Sequence, residues 1–125
     1  MMMMMTKEAM PMSKDMQECM QACMDCYKMC MESMTYCMEM GGKYMEGSMM
    51  GMMRDCMEMC QMSMNMMMMG SEFMGRTSEL CGEMCMRCAE CCDMMGDDAK
   101  MKACADSCRH CAEMCKKMSM MMMAA

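Results

Sequence analysis

Sixteen cysteines dominate the chemistry available to this chain of 125 residues. Fifteen of them fall into four groups in which neighbouring cysteines are three, four or seven residues apart. Those steps return side chains to one face of an α-helix, so each group predicts a helix with a stripe of thiols. The stripes predict a metal site whose candidate ligands are Cys19, Cys23, Cys26, Cys30, Cys37, Cys56, Cys60, Cys81, Cys85, Cys88, Cys92, Cys104, Cys108, Cys111 and Cys115.

The softness and charge of thiolates indicate which metal these residues would bind. Thiolate sulfur prefers Cu(I), whereas carboxylates and carbonyls select harder ions. Buried thiolates also need cations nearby, because an uncompensated buried charge is costly. One Cu(I) per thiolate leaves the interior almost neutral, while Zn(II) held by four thiolates keeps two negative charges. We therefore expect multiple Cu(I) ions per chain, with zinc as an alternative wherever four sulfurs converge.

Glycines and capping residues divide the chain into four predicted helices. Ser13 is a predicted N-cap, Ser71 can cap the third helix, and Asp97 or Asp98 can cap the fourth. Glycines stop the first three helices. The predicted helices cover residues 13–40, 43–69, 71–95 and a fourth segment that carries its cysteines from 104 to 115 and frays beyond 118.

Short loops between these helices predict the fold class. Consecutive helices joined by a few residues lie antiparallel, which gives an all-α, up-down-up-down four-helix bundle with a cysteine-lined interior. We expect the bundle to occupy residues 13–118. Residues 1–12 are predicted to form a Met-rich, disordered or frayed segment, and residues 119–125 a Met-rich tail.

Two residues fall outside the thiol stripes. Cys91 lies about 80 to 100° around its helix from the other cysteines, so we expect it at the flank. His110, the only histidine, lies more than about 120° from the thiol face of its helix, so we expect it to be exposed and uninvolved. The inward face of the second helix is predicted to contain mostly thioethers, from Met49, Met52, Met53 and Met67.

The apolar composition is unusual because methionine replaces the common aliphatic residues. The chain has 40 methionines, no isoleucine or valine, and Leu80 as its one leucine. Natural cores distribute apolar residues over Leu, Ile, Val and Phe. We interpret the chain as a methionine-enriched or engineered variant. An alternative function follows, a sulfur-rich structural protein or a store of methionine and cysteine without a physiological metal.

Charge and hydropathy argue against several partners. The net charge is −6, with 12 basic residues dispersed among 18 acidic ones, so no basic stripe is available for nucleic acid. Methionine runs do not exceed five residues, far below the about eighteen apolar residues that a membrane span needs. Lys7 and Glu8 interrupt the apolar stretch of any signal sequence. We expect a cytoplasmic protein with no nucleic-acid or membrane partner.

Other uses of cysteine fit the spacing less well. Disulfide scaffolds place cysteines irregularly in loops, not at helical intervals. Iron–sulfur ligands come from loop motifs frequently closed by Cys-Pro, and the single Pro11 is far from every cysteine, although residues 85–91 match CxxCxxC. No catalytic constellation can be assembled around one off-face histidine, so we predict no enzymatic activity.

Four cysteine repeats carry a resemblance to a known family. They are Cys19-Met-Gln-Ala-Cys23-Met-Asp-Cys26-Tyr-Lys-Met-Cys30, Arg54-Asp-Cys56-Met-Glu-Met-Cys60-Gln, Cys81-Gly-Glu-Met-Cys85-Met-Arg-Cys88-Ala-Glu-Cys91-Cys92 and Cys104-Ala-Asp-Ser-Cys108-Arg-His-Cys111-Ala-Glu-Met-Cys115. With these repeats, residues 16–118 resemble the cysteine-rich four-helix-bundle copper storage proteins, particularly the cytosolic bacterial branch. The resemblance implies inward cysteines that hold many Cu(I) ions, commonly through both thiols of a CxxxC pair, and a homotetramer. It also implies storage and not catalysis.

Overall fold

The computed structural model describes residues 13–124 of the chain, with side chains described as far as residue 122. Four α-helices run in the order α1 (Lys14–Met40), α2 (Met49–Met69), α3 (Met74–Asp93) and α4 (Ala99–Ala124), and one turn of 3-10 helix (Gly42–Met45) follows α1. Residues 13–124 contain no β-strand. The predicted N-terminal segment, residues 1–12, lies outside the described residues.

The helices form the predicted antiparallel bundle. Each helix packs along its length against two neighbours, α1 against α2 and α4, and α3 against α2 and α4. Within residues 13–124 the diagonal pairs meet through cysteine side chains at the axis, as at Cys60 and Cys111. This square arrangement leaves one central axis toward which all four helices turn a face. The all-α, up-down-up-down fold expected from the sequence is confirmed. Across residues 13–124, every helix is too short or too polar to span a bilayer.

Capping residues explain where α1 and α4 begin. The Ser13 hydroxyl accepts a hydrogen bond from the backbone N–H of Met16 at 3.1 Å, as predicted. Of the two aspartates predicted for α4, Asp98 is the cap, because its Oδ1 accepts hydrogen bonds from the backbone N–H groups of Lys100 and Met101 at 2.9 and 3.0 Å. α4 then continues to residue 124, past the predicted point of fraying at 118.

Two helix starts differ from the sequence prediction. α2 begins at Met49 and not at residue 43, because Gly47 has a φ of 69°, a left-handed conformation that cannot continue a helix. α3 begins at Met74 and not at Ser71. Residues 71–74 instead form a turn closed by a hydrogen bond from the N–H of Met74 to the carbonyl of Ser71 at 3.1 Å.

The core consists of cysteine, methionine and alanine. The largest buried side chains include Met53, Met101 and Met118, each at most 1% exposed, while Leu80 lies on the surface at 47% exposure. α3 and α4 approach closely at Gly82, where an added Cβ would meet the carbonyl oxygen of Ala112 at 3.4 Å. Small residues therefore bring the backbones of α3 and α4 together at this level.

Candidate metal centre

Thiol groups line the interior of the bundle. Of the 16 cysteines, 15 are buried and all 16 are free thiols. The buried residues are the 15 whose spacing predicts ligands, so the prediction that the stripes face inward is confirmed. Their assignment as ligands stays a prediction. All four helices contribute, because each places its cysteines on the face that points to the bundle axis.

Sulfur atoms from different helices lie in contact along this axis. Near one end, the Sγ atoms of Cys19 and Cys115 are 3.8 Å apart. In the middle, Cys26 Sγ lies 3.7 Å from the Sγ atoms of both Cys56 and Cys108. The contacts between these levels fall between 3.5 and 4.0 Å. We call this continuous file of sulfur atoms the thiol column.

The thiol column contains five sets of three or four Sγ atoms that lie within 4.8 Å of one another. The sets are Cys23, Cys60, Cys81 and Cys111; Cys26, Cys30, Cys56 and Cys108; Cys26, Cys56, Cys60 and Cys85; Cys30, Cys88, Cys104 and Cys108; and Cys19, Cys23 and Cys115. They use 13 different cysteines, six of which belong to two sets. Because thiols are shared, the sets form one connected cluster and not five separate sites.

CxxxC pairs from a single helix recur in this cluster. Four of the five sets contain such a pair, namely Cys26 with Cys30, Cys56 with Cys60, Cys104 with Cys108, and Cys19 with Cys23. Two thiols one helical turn apart can hold an ion of low coordination number. Thiols from facing helices complete each set.

Burial and hydrogen bonding set the protonation of these thiols. The hydrogen bond with Cys115 lowers the pKa of Cys19, but the hydrogen bond with Cys23 and burial together raise it to about 12. Hydrogen bonds with Cys111 and then Cys115 lower the pKa of Cys23, so protons are shared unevenly within the column. Uncompensated thiolates are unfavourable in an apolar interior. The column as a whole is therefore neutral until cations arrive.

The charge that a metal supplies distinguishes Cu(I) from Zn(II) in this cluster. The 13 connected thiols become 13 negative charges when all are ligands. One Zn(II) in each set would supply only about ten positive charges, leaving a net negative interior that is costly to bury. About one Cu(I) per thiolate neutralises the column. The donor set therefore fits a monovalent soft ion better than zinc.

Near the C-terminal end of α1, the thiol column ends and a thiol packs against a thioether. Cys37 Sγ lies 3.8 Å from Met101 Sδ, and both residues are fully buried. Cys92 is also buried, and hydrogen bonds with Cys104 and Cys88, together with burial, raise its pKa. Among the described residues, neither Cys37 nor Cys92 belongs to a set of three or four candidate ligands. The structure therefore leaves both outside the connected cluster.

A tyrosine and aspartate cluster closes this end of the bundle. The hydroxyls of Tyr36 and Tyr44 both donate hydrogen bonds to Asp98 Oδ2, at 2.7 and 2.5 Å. The hydrogen bond from Tyr44, followed by that from Tyr36, lowers the pKa of Asp98 to about 2. Burial raises the pKa of Cys37, and electrostatic interactions with Cys104 and the Asp98 carboxylate raise it further. A carboxylate next to this thiol therefore favours its protonated form.

Comparison with known proteins agrees with this geometry. Residues 12–120 match the family described as copper storage protein, and this span includes all 16 cysteines. The chain belongs to the copper storage protein family. The resemblance carried by the four cysteine repeats is thereby confirmed. No curated protein matches the chain.

Solved structures of copper storage proteins share the fold. The Cu(I)-bound copper storage protein BsCsp3 is 30% identical to this chain, with a TM-score of 0.79, and the match covers 85% of this chain and 99% of that chain. The metal-free copper storage protein 3 from Bacillus subtilis is 31% identical, with a TM-score of 0.73, and the match covers 82% and 97%. The Nmul_A1745 protein from Nitrosospira multiformis is 38% identical, with a TM-score of 0.80 and coverage of 86% and 97%.

The copper storage fold places the predicted bystanders outside the thiol column. Cys91 is half-buried, and His110 is exposed on the outside of α4. Both placements confirm the helical angles read from the sequence. Of the four methionines predicted to face inward, Met49, Met53 and Met67 are buried, while Met52 is half-buried.

Several interior residues of this copper storage protein were not predicted from the sequence. Met101 and Met118 are buried, and both lie three residues beyond the cysteine ladder of α4, so the same spacing signal continued to them. The buried serines Ser33, Ser63 and Ser78 also occupy ladder positions, three residues from Cys30, Cys60 and Cys81 respectively. They were not predicted because the interior positions were identified from cysteine and methionine, and serine is polar.

Proposed function

We propose that this copper storage protein binds multiple Cu(I) ions in its thiol column and holds them for storage or detoxification. The observation that carries the proposal is the connected cluster of 13 buried thiols drawn from four helices. The proposed ligands are the 15 buried cysteines, including Cys37 and Cys92 at the margin of the cluster. Storage is a non-catalytic role, and we propose no enzymatic activity.

The bundle is proposed to fold before copper arrives and to fill progressively. Protonated cysteine behaves as a small apolar residue, so the metal-free interior can pack as an ordinary core. Each thiol that becomes a ligand releases a proton, which exchanges a neutral group for a neutral copper–thiolate pair. Relatives solved with Cu(I) and without metal, at similar TM-scores to this chain, support a scaffold that exists in both states.

A copper titration tests the storage function. Reduced protein is titrated anaerobically with Cu(I) against a competing chelator, and bound copper is measured by inductively coupled plasma analysis while circular dichroism follows the helices. We expect about ten or more ions per chain, since about one ion neutralises each thiolate. Helical circular dichroism should already be complete in the metal-free protein.

Matched serine substitutions locate the copper. Cys108→Ser removes a thiol that belongs to two sets, whereas Cys91→Ser makes the same chemical change at a half-buried thiol on the flank. Capacity should fall in the first variant and stay unchanged in the second. Tight binding of no more than one or two ions by the unmodified chain would contradict storage.

A cytoplasmic location is supported by the state of the cysteines. All 16 are free, and many Sγ atoms lie within 4.0 Å of another, so an oxidising compartment would threaten the column. Fractionation of the producing cells should find the reduced protein in the cytoplasm. Recovery from an oxidising compartment with its thiols intact would contradict this location.

A homotetramer is proposed from the family resemblance. Exposed methionines at seven-residue spacing on α1 provide an apolar stripe that a second copy could cover, with Met24, Met31 and Met38 at 46, 44 and 56% exposure. Light scattering of the purified protein should give four times the chain mass. Replacing the three methionines with glutamate should shift the protein to smaller species, and an unmodified monomer would contradict the proposal.

The alternative function is a sulfur-rich structural or sulfur-storing protein, natural or engineered. The 40 methionines favour it, because many are exposed and none of those is needed for the thiol column. The copper titration separates the two functions. Only the alternative survives if the chain folds fully but retains no more than one or two copper ions.

A further inference from the structure

Three serines interrupt the sulfur-lined interior. Ser33, Ser63 and Ser78 have no solvent exposure, and their hydroxyl oxygens have no hydrogen-bond partner within the described part of the chain. A buried hydroxyl without a partner destabilises a protein, and such groups are rare in folded proteins. Alanine would fill the same space without that cost. A role that requires the hydroxyl group would explain why serine and not alanine occupies these positions.

The register of α2 and α3 places Ser63 and Ser78 at the same level of the bundle. The Sγ atoms of Cys60 and Cys81 are 3.9 Å apart, which fixes the register of these antiparallel helices. Ser63 follows Cys60 by three residues, and Ser78 precedes Cys81 by three residues. One turn along each helix therefore brings both hydroxyls to the same level, next to the last complete level of four thiols.

The other two helices place thiols at this level. Cys115 follows Cys111 by one turn, with their Sγ atoms 3.9 Å apart, and Cys111 belongs to the last set with one thiol from each helix. Cys19 Sγ lies 3.8 Å from Cys115 Sγ. The level thus contains two thiols from α1 and α4 and two hydroxyls from α2 and α3.

The set at this end is also the smallest in the column. Cys19, Cys23 and Cys115 form a set of three, while the other four sets each have four members. α2 and α3 supply no thiol to it. An ion at this end has fewer thiolates than an ion in the middle, and the serines stand where further thiols would complete the level.

A thiolate that binds metal gives a hydroxyl the partner it lacks. A protonated thiol is a weak acceptor, whereas an ionised group accepts charge-assisted hydrogen bonds that are roughly twice as strong. Residues that hydrogen-bond to metal ligands orient them and tune metal affinity. We propose that Ser63 and Ser78 are positioning residues that donate hydrogen bonds to the copper-bound thiolates of Cys19 and Cys115 and retain Cu(I) at this end. The inference rests on the proposed storage function.

The double variant Ser63→Ala with Ser78→Ala tests this role through two readouts of opposite sign. Metal-free protein should become more stable, with a melting temperature higher by about 3–6 °C, because two unpartnered hydroxyls are removed. Copper retention should become weaker. The affinity for Cu(I) at this end should fall by about 10–100-fold. About one or two fewer ions per chain should then stay bound in the presence of a strong chelator. The total number of ions bound in the presence of a weak chelator should stay unchanged.

Two further variants make the test specific. Ser107→Ala, at a half-buried position on α4 away from the column, should leave copper retention unchanged. The double variant Ser63→Cys with Ser78→Cys replaces each hydroxyl with a thiol that can itself bind Cu(I), so retention should equal or exceed that of the unmodified chain. This variant also checks that the two positions face the copper.

The outcomes separate this inference from the storage function. If the alanine variant retains copper as the unmodified chain does, the hydroxyls do not stabilise the copper-bound thiolates and the inference is overturned. A lower melting temperature of the metal-free alanine variant would overturn it as well, because the hydroxyls would then have partners without metal. If the unmodified chain binds no more than one or two ions, the proposed storage function itself is contradicted.

Discussion

Copper loading should release about one proton for each thiol that becomes a ligand. The connected cluster contains 13 thiols, and burial favours their neutral form. With a pKa of about 12, Cys19 is ionised in only about one molecule in 10⁵ at pH 7. Each thiol that becomes a ligand must lose its proton. Hydrogen bonds between thiols lower the pKa of Cys23 and of several other cluster members, but a buried thiolate without a cation is costly. If the metal-free column is neutral for that reason, filling the cluster at pH 7 should release about thirteen protons per chain.

Proton release can be measured directly. Cu(I) is added anaerobically, in a complex that carries no titratable group, to reduced protein in a weakly buffered solution held at pH 7, and the base needed to keep the pH constant is recorded. Calorimetry in two buffers with different ionisation enthalpies provides an independent count. Cys108→Ser should lower the release by about one proton, since one ligand thiol is gone. Cys91→Ser should leave it unchanged.

The same protons give copper retention a definite pH dependence. Metal and protons compete for each thiol, so lowering the pH weakens binding, by about tenfold per pH unit for an ion that displaces one proton. Release of less than about half a proton per ion, or affinity that does not change between pH 6 and 8, would refute the reasoning. Either result would mean that the metal-free column already contains thiolates.

Three further results are expected. Met53→Ala removes a fully buried side chain and should lower the free energy of unfolding by about 2–5 kcal/mol in urea, whereas Met38→Ala, at 56% exposure, should change it by less than about 0.5 kcal/mol. Asp98→Ala removes the cap of α4 and should cost about 1 kcal/mol at pH 7. Folding lowers the pKa of Asp98 from 3.8 to about 2, so the stabilisation that its carboxylate provides is present above pH 4 and is lost as the pH falls through 2. Acid unfolding followed by circular dichroism should therefore be less steep in Asp98→Ala. Saturating copper should raise the melting temperature of the unmodified chain, and no shift would mean that the metal binds folded and unfolded chains alike.

Helical periodicity predicted which side of each helix faces the axis. A step of three or four residues fixes the angle of a side chain around its own helix, so burial of the 15 cysteines, the flank position of Cys91 and the exposure of His110 all followed from spacing. The helix ends were predicted less well. Whether Gly47 bends the chain or continues a helix depends on its backbone angles, which composition does not determine.

The levels of the thiol column could not be predicted from spacing. Angles around one helix do not state how far that helix is shifted along its neighbour, because loops and packing set the register. Cys37 shares the stripe of Cys30, yet the register places it against the thioether of Met101 and outside the shared sets. The match of Ser63 and Ser78 with Cys19 and Cys115 likewise required the register of all four helices.

The close approach at Gly82 determines where the bundle can swell. Ions bound at about one per thiolate need room along the axis, and α3 and α4 pack closely at Gly82, where an added Cβ would lie 3.4 Å from the Ala112 carbonyl oxygen. That contact leaves little free space between the two helices. We expect the expansion to fall on the opposite wall, where α2 presents Met49, Met53 and Met67, whose pliable side chains can rearrange at little cost. The α3–α4 side of the bundle would stay fixed during copper loading, while the α2 side would move to accommodate the ions.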